Sequence, residues 1–177
     1  GMVTRTAALR GYRHALEGPG FLARADLQVL IDLLREDGRT VVGPTVADGA
    51  IVYDEVTSID DLPRGIGDEQ APGRYRLRRR GDERLFGYVV GPTAWKKWTF
   101  PSFVPLTKAT KDGHRVEFAP EEAEPPRLAF LGARACDLAA LAVQDQVFTG
   151  TPFVDPDYAA RRSRVFTVAV QCTTAAS

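Results

Sequence analysis

The stretch from Arg127 to Val170 limits the possible folds more than any other part of the chain. "RLAFLG" is a short apolar run closed by Gly132, and "DLAALAVQDQVF" follows with helical composition. "DPDYAARRSR" reads as a capped helical turn, and "VFTVAV" is a second β-branched run. Strand, helix and strand within about 45 residues is the spacing of a right-handed parallel crossover, because parallel neighbours need a connection of a dozen or more residues. Leu138, Leu141 and Ala142 are expected on one side of that helix.

The front of the chain follows a different rule. Residues 2–20 have little periodicity and are expected to form a frayed helix and a turn. In "RADLQVLIDLLREDG", Leu27, Leu30, Ile31 and Leu34 recur at helical spacing, and Gly38 supplies the stop. "TVVGP" and "AIVYDEV" flank an Asp-Gly turn signal, and Asp112-Gly113 marks a second hairpin in "PLTKATKDGHRVEFAP". "SIDDLPRGIGDEQAPG" reads as a surface loop. "RYRLRRR" and "RLFGYVV" are expected to pair across "GDE", the second strand being buried on both faces. The predicted class is α+β (mixed α/β): antiparallel hairpins, then a parallel strand–helix–strand unit, in a mixed sheet flanked by helices. Residues 2–124 hold the helix and hairpins and 125–177 the crossover unit, with "EEAEPP" between them. The two parts are expected to form one compact domain.

Composition narrows the function. Twenty-three basic residues balance 23 acidic ones, which disfavours general nucleic-acid binding. No apolar run reaches 18 residues, so no membrane span is expected. The start lacks the apolar core of a secretion signal, and there are two cysteines. Together these point to a cytoplasmic, reducing location.

Two stretches carry candidate chemistry. In a parallel unit the loops after the strand C-termini gather at the ligand-binding edge. Cys136 lies just past the first strand, at a helix start that favours a thiolate, and Cys172 directly follows the second. Both are candidate metal ligands. The plainer alternative is two buried thiols, since free cysteine is among the most buried residue types. Gly132, Arg134 and Asp137 are candidate cofactor-binding residues. Gly132 frees backbone N–H groups, Arg134 neutralises an anionic group, and Asp137 caps the helix. In "GPTAWKKWTFPSF", Trp95, Trp98, Phe100 and Phe103 surround Lys96 and Lys97. Either a tryptophan plugs the core while the lysines face water, or the segment is a docking surface. His14 and His114 form no catalytic or metal-type spacing, and no Walker loop or glycine-rich dinucleotide fingerprint occurs.

"VVGPTVADGAIVYDEV", "APGRYRLRRRGDERLFGYVVGPTAWKKWTFP" and "FLGARACDLAALAVQDQVF", in this order, resemble the N-terminal part of an iron–sulfur subunit family. That family includes the beta subunit of soluble nickel–iron hydrogenases (sulfhydrogenases) and the A subunit of anaerobic sulfite reductase. The resemblance spans roughly residues 20–174. It implies the front part of a longer electron-transfer subunit, in which a Cys-x-Cys pair and a ferredoxin-like part with two 4Fe–4S clusters follow. With that pair, Cys136 and Cys172 make four thiolates, the number a 4Fe–4S cluster needs. This chain alone is expected to hold no cluster and to do no bond chemistry. Its partners are expected to be the flavoprotein, hydrogenase or sulfite reductase subunits of a redox complex. A flavin- or nucleotide-binding oxidoreductase domain and a cofactor-free interaction domain are the alternatives.

Overall fold

The structure is a computed structural model that describes residues 22–88, 90, 95–105, 107–120, 124–150 and 152–171. The expected helix in residues 2–20 and the position of Cys172 lie outside these residues. The fold combines helices with a mixed sheet of antiparallel and parallel strands, as the sequence predicts.

Helix α1 (Leu27–Glu36) follows a short 3-10 turn. Ile31 and Leu34 are buried, and Leu27 and Leu30 pack beside them. Gly38 ends the helix at φ +75°, with the Arg39 N–H returning to the Leu34 carbonyl at 3.1 Å. This left-handed closure explains the glycine. Strands β1 (Thr40–Ala47) and β2 (Ala50–Glu55) form the first hairpin. Asp48 and Gly49 both have positive φ, +50° and +71°, as a type I′ turn requires.

Strand β3 (Ile66–Ala71) pairs antiparallel with β4 (Arg74–Arg79). This corrects the sequence reading twice. "IGDEQA" is a strand rather than loop, and "RYRLRR" pairs with the segment before it rather than with "RLFGYVV". Leu85–Tyr88 is irregular, although Leu85 and Tyr88 are buried. The single-turn helix α2 (Lys96–Thr99) follows. Strands β5 (Thr107–Asp112) and β6 (Arg115–Pro120) form the hairpin expected around Gly113.

Strand β7 (Leu128–Ala133), helix α3 (Ala135–Thr149), helix α4 (Pro156–Arg162) and strand β8 (Val165–Ala169) make the crossover unit. The sheet order is β2-β1-β7-β8, with β7 parallel to both neighbours. The sheet therefore joins strands from either side of residues 121–123. All six residues of β7 are buried. On one face, Val41, Ala129 and Leu131 pack against α1. On the other, Val42, Leu128 and Phe130 meet Tyr53, Trp95 and Leu141. Of the three residues expected on one side of α3, Leu141 is buried, while Leu138 is 40 % exposed and Ala142 is exposed. Leu141 is the residue of the helix that enters the sheet's core cluster, and Phe148 further on packs against Phe100 and Tyr158.

Local chemistry fixes the rest. Asp155 caps α4 by accepting from the Tyr158 N–H at 2.8 Å. The Tyr158 hydroxyl and Arg162 Nε both donate to Asp145 Oδ1, at 2.7 and 2.9 Å, tying α4 to α3. At the strand starts, Arg39 Nη1 donates to the carbonyls of Leu128 and Arg164. No helix among the described residues is long and apolar enough to cross a membrane.

Candidate functional site

The candidate residues sit where β7 becomes α3. Gly132 lies on a register irregularity of the β7–β8 pairing and has φ +87°. A Cβ there would stand 2.6 Å from Phe86 Cε1. The glycine therefore serves both the backbone bend and the close approach of the Phe86 ring. The bend lets Ala133 join the same apolar cluster as Phe130.

Arg134 is the N-cap residue of α3. Its backbone N–H donates to Asp137 Oδ2 at 2.9 Å. Asp137 thus closes the helix start, as its place in "RACD" predicts. The same carboxylate oxygen accepts from the Tyr53 hydroxyl at 3.2 Å, which joins β2 to α3. Tyr53 stacks on Trp95 at 3.7 Å between centroids, and Trp95 stacks on Phe130 at 4.3 Å. The core reading of the tryptophan segment holds: Trp95 is 2 % exposed, while Lys96 and Lys97 face outward.

The Arg134 guanidinium is 5.4 Å from the centre of the Tyr88 ring. Burial pushes the phenols of Tyr53 and Tyr88 well above their ordinary value of 10.0. For Tyr53 the Asp137 carboxylate adds to this, and for both the Arg134 charge opposes it. Burial also raises Tyr75, against a hydrogen bond from the Ile51 backbone N–H. These phenols are neutral at physiological pH.

Cys136, one residue into the first turn of α3, is exposed. The buried-thiol alternative does not describe it. Strands β7 and β8 are adjacent and parallel, so their C-terminal ends share one rim. The Val170 N–H donates to the Ala133 carbonyl at 2.8 Å, so the chain leaves β8 beside the residue that precedes Arg134. Gln171 is exposed there, and Cys172 is next in sequence. The structure therefore brings Gly132, Arg134, Cys136 and Asp137 to one rim, and Cys172 lies outside the described residues.

Sequence reasoning missed Tyr53, Tyr75 and Tyr88. Only the alternation of Ile51 with Tyr53 in β2 hinted that one of them faces inward. Elsewhere, Asp54, Glu55, Asp60, Asp61 and Arg64 line a shallow cleft that is wide open to solvent. Asp61 there accepts from the Thr57 and Ser58 backbone N–H groups at 2.8 and 2.9 Å, which lowers its pKa. Among the described residues, no group of three or more His, Cys, Asp or Glu side chains is placed to hold a metal ion. His114 lies in the β5–β6 turn. No family model, curated protein or solved structure matches the chain.

Proposed function

We propose that the chain is the N-terminal module of a cytoplasmic electron-transfer iron–sulfur subunit, of the hydrogenase or sulfite-reductase type. One observation carries this reading. The exposed thiol of Cys136 stands in the first turn of α3, at the rim where β8 also ends. A thiol exposed at a strand-end rim stands where α/β sheets hold ligands.

The described residues fit such a cluster in part. They offer one accessible thiol where four are needed. Cys172 and a following Cys-x-Cys pair would supply the others, and a bound cluster supplies one-electron transfer. The chain's own residues would orient Cys136 through the Asp137 lock on the helix start, and exclude water beneath it through the Tyr53–Trp95–Phe130 stack. No bond chemistry is assigned to them.

The deciding measurement is iron and acid-labile sulfide per chain after anaerobic reconstitution of the subunit as its gene encodes it. Cys136→Ala should lower both by one cluster. Equal content in the two proteins would show that Cys136 is not a ligand. A specific observation also favours an interaction role: the side chains described in β5 and β6 are exposed, with Phe118 at 74 %. That role is compatible with a module of a multisubunit complex.

A further inference from the structure

We propose that Arg134 and Tyr88, with the first turn of α3, form a binding site for one oxyanionic group of the phosphate class. The proposal does not depend on an iron–sulfur cluster. It rests on a buried positive charge that has no counter-ion among the described residues.

Arg134 is only 7 % exposed. Among the described residues its side chain makes no ion pair and donates no hydrogen bond; it lies over the Tyr88 ring instead. A guanidinium does not shed its proton in proteins, and a buried charge without a partner is costly. The Tyr53, Tyr75 and Tyr88 phenols that face the guanidinium are held neutral by burial. Asp137 is the one carboxylate at this helix start. Its Oδ2 is engaged by the Arg134 N–H and the Tyr53 hydroxyl, and not by the guanidinium.

A second orphan sits beside the first. Tyr88 is 3 % exposed, and its hydroxyl has no hydrogen-bond partner. Buried hydroxyls almost always have one. The third donor group is α3 itself, fifteen residues long. The N–H of Leu138 is the first to be bonded within the chain, to the Arg134 carbonyl at 2.9 Å. Apart from the Arg134 N–H, which Asp137 accepts, the N–H groups ahead of it are open to a ligand, and the helix dipole favours negative charge there. The guanidinium belongs to the N-cap residue of α3 and lies 5.4 Å from the Tyr88 ring centre, so the three donor groups are neighbours. A tetrahedral oxyanion offers acceptors to all three, whereas a planar carboxylate serves fewer.

The phosphate could arrive free or as the end group of a cofactor, and both sources can be tested on the intact chain. Inorganic phosphate, flavin mononucleotide and phosphate-free riboflavin are titrated at constant ionic strength, with chloride as control, by calorimetry and thermal unfolding. Saturable binding of phosphate and of flavin mononucleotide with equal affinity supports a free anion. Tight flavin mononucleotide binding with weak riboflavin binding supports a phosphate carried by a cofactor. Tyr88→Phe should weaken either by roughly tenfold, the loss of one hydrogen bond to a charged group. Arg134→Met, which keeps the bulk and removes the charge, should abolish it. Cys136→Ala should bind the oxyanion like the parent while losing iron, so this site and the cluster reading fail separately. No saturable binding, or equal binding by the parent and Tyr88→Phe, overturns the proposal, even if Arg134→Met does not fold.

Discussion

Two hairpins in this molecule carry the same turn signal and meet opposite fates. Asp48-Gly49 joins β1 to β2, and Asp112-Gly113 lies at the tip of β5–β6. The first hairpin sits inside the sheet, with Val41, Val42, Ile51 and Tyr53 buried to 1 % or less. The second exposes every side chain described along it, including Val116 and Phe118. The turn decides that two strands pair. What the pair then packs against is decided by side chains: "TVVGPTVA" offers apolar residues to both faces of a sheet, and "TKATKD" offers only the small Ala109. A two-stranded ribbon alone is marginally stable in water, so only the first hairpin is a source of stability.

The contrast can be broken most forcefully at the cover of the first hairpin. Trp95→Ala removes the ring stacked on Tyr53 and Phe130, and should cost about 3–5 kcal/mol in equilibrium unfolding. A cost near zero would mean that the stack is not structural. Gly132→Ala should cost about 1–3 kcal/mol, since it combines a left-handed φ with a clash against Phe86. Denaturant midpoints at unchanged slope would check it.

Tyr53→Phe removes the link from the first hairpin to Asp137 and should cost about 1 kcal/mol. The same phenol makes a pH prediction. Its folded pKa is raised above 10.0, so it stabilises the fold fully below about pH 10, and that contribution is lost as pH rises further. Tyrosinate absorbance should therefore show Tyr53 and Tyr88 ionising only with alkaline unfolding, and Tyr53→Phe should flatten the stability loss above pH 10. The smallest effect is expected in the second hairpin. Val116→Ala and Phe118→Ala should each stay within about 0.5 kcal/mol, and a larger loss would show that the ribbon is packed in solution.

The sequence was legible where structure is local. The i, i+3, i+4, i+7 pattern gave α1, the Asp-Gly pairs gave two turns, and the all-apolar "LAFLG" gave the central strand. It was not legible for β3. "IGDEQA" has no period-two apolar pattern, because its ribbon is held by backbone pairing with β4 rather than by burial. Arg134 was recognised as a candidate cation for an anionic group. Its burial was not, since Tyr53, Tyr75 and Tyr88 come from three separate segments and converge on it only in the folded chain. The exposure of Cys136 runs against the general tendency of cysteine, and it follows from the helix start lying on the outer rim.

The central position of β7 has a consequence for how the molecule assembles. Its pairing with β8 closes a loop of about 37 residues, from Leu128 to Val165. Its pairing with β1 must hold together groups as far apart as Arg39 and Leu128, 89 positions in sequence. Loop-closure entropy makes the second event costlier by roughly 0.8 kcal/mol before any contact rewards it. The crossover unit is therefore expected to nucleate folding, with the first hairpin docking late. Substitutions in β8 should slow refolding, while Ile51→Val in β2 should mainly speed unfolding, as stopped-flow kinetics can show. The part of the sheet laid down first is then the part that carries the rim, so Arg134 and Cys136 are positioned before the hairpin that contributes Tyr53 arrives to close over them.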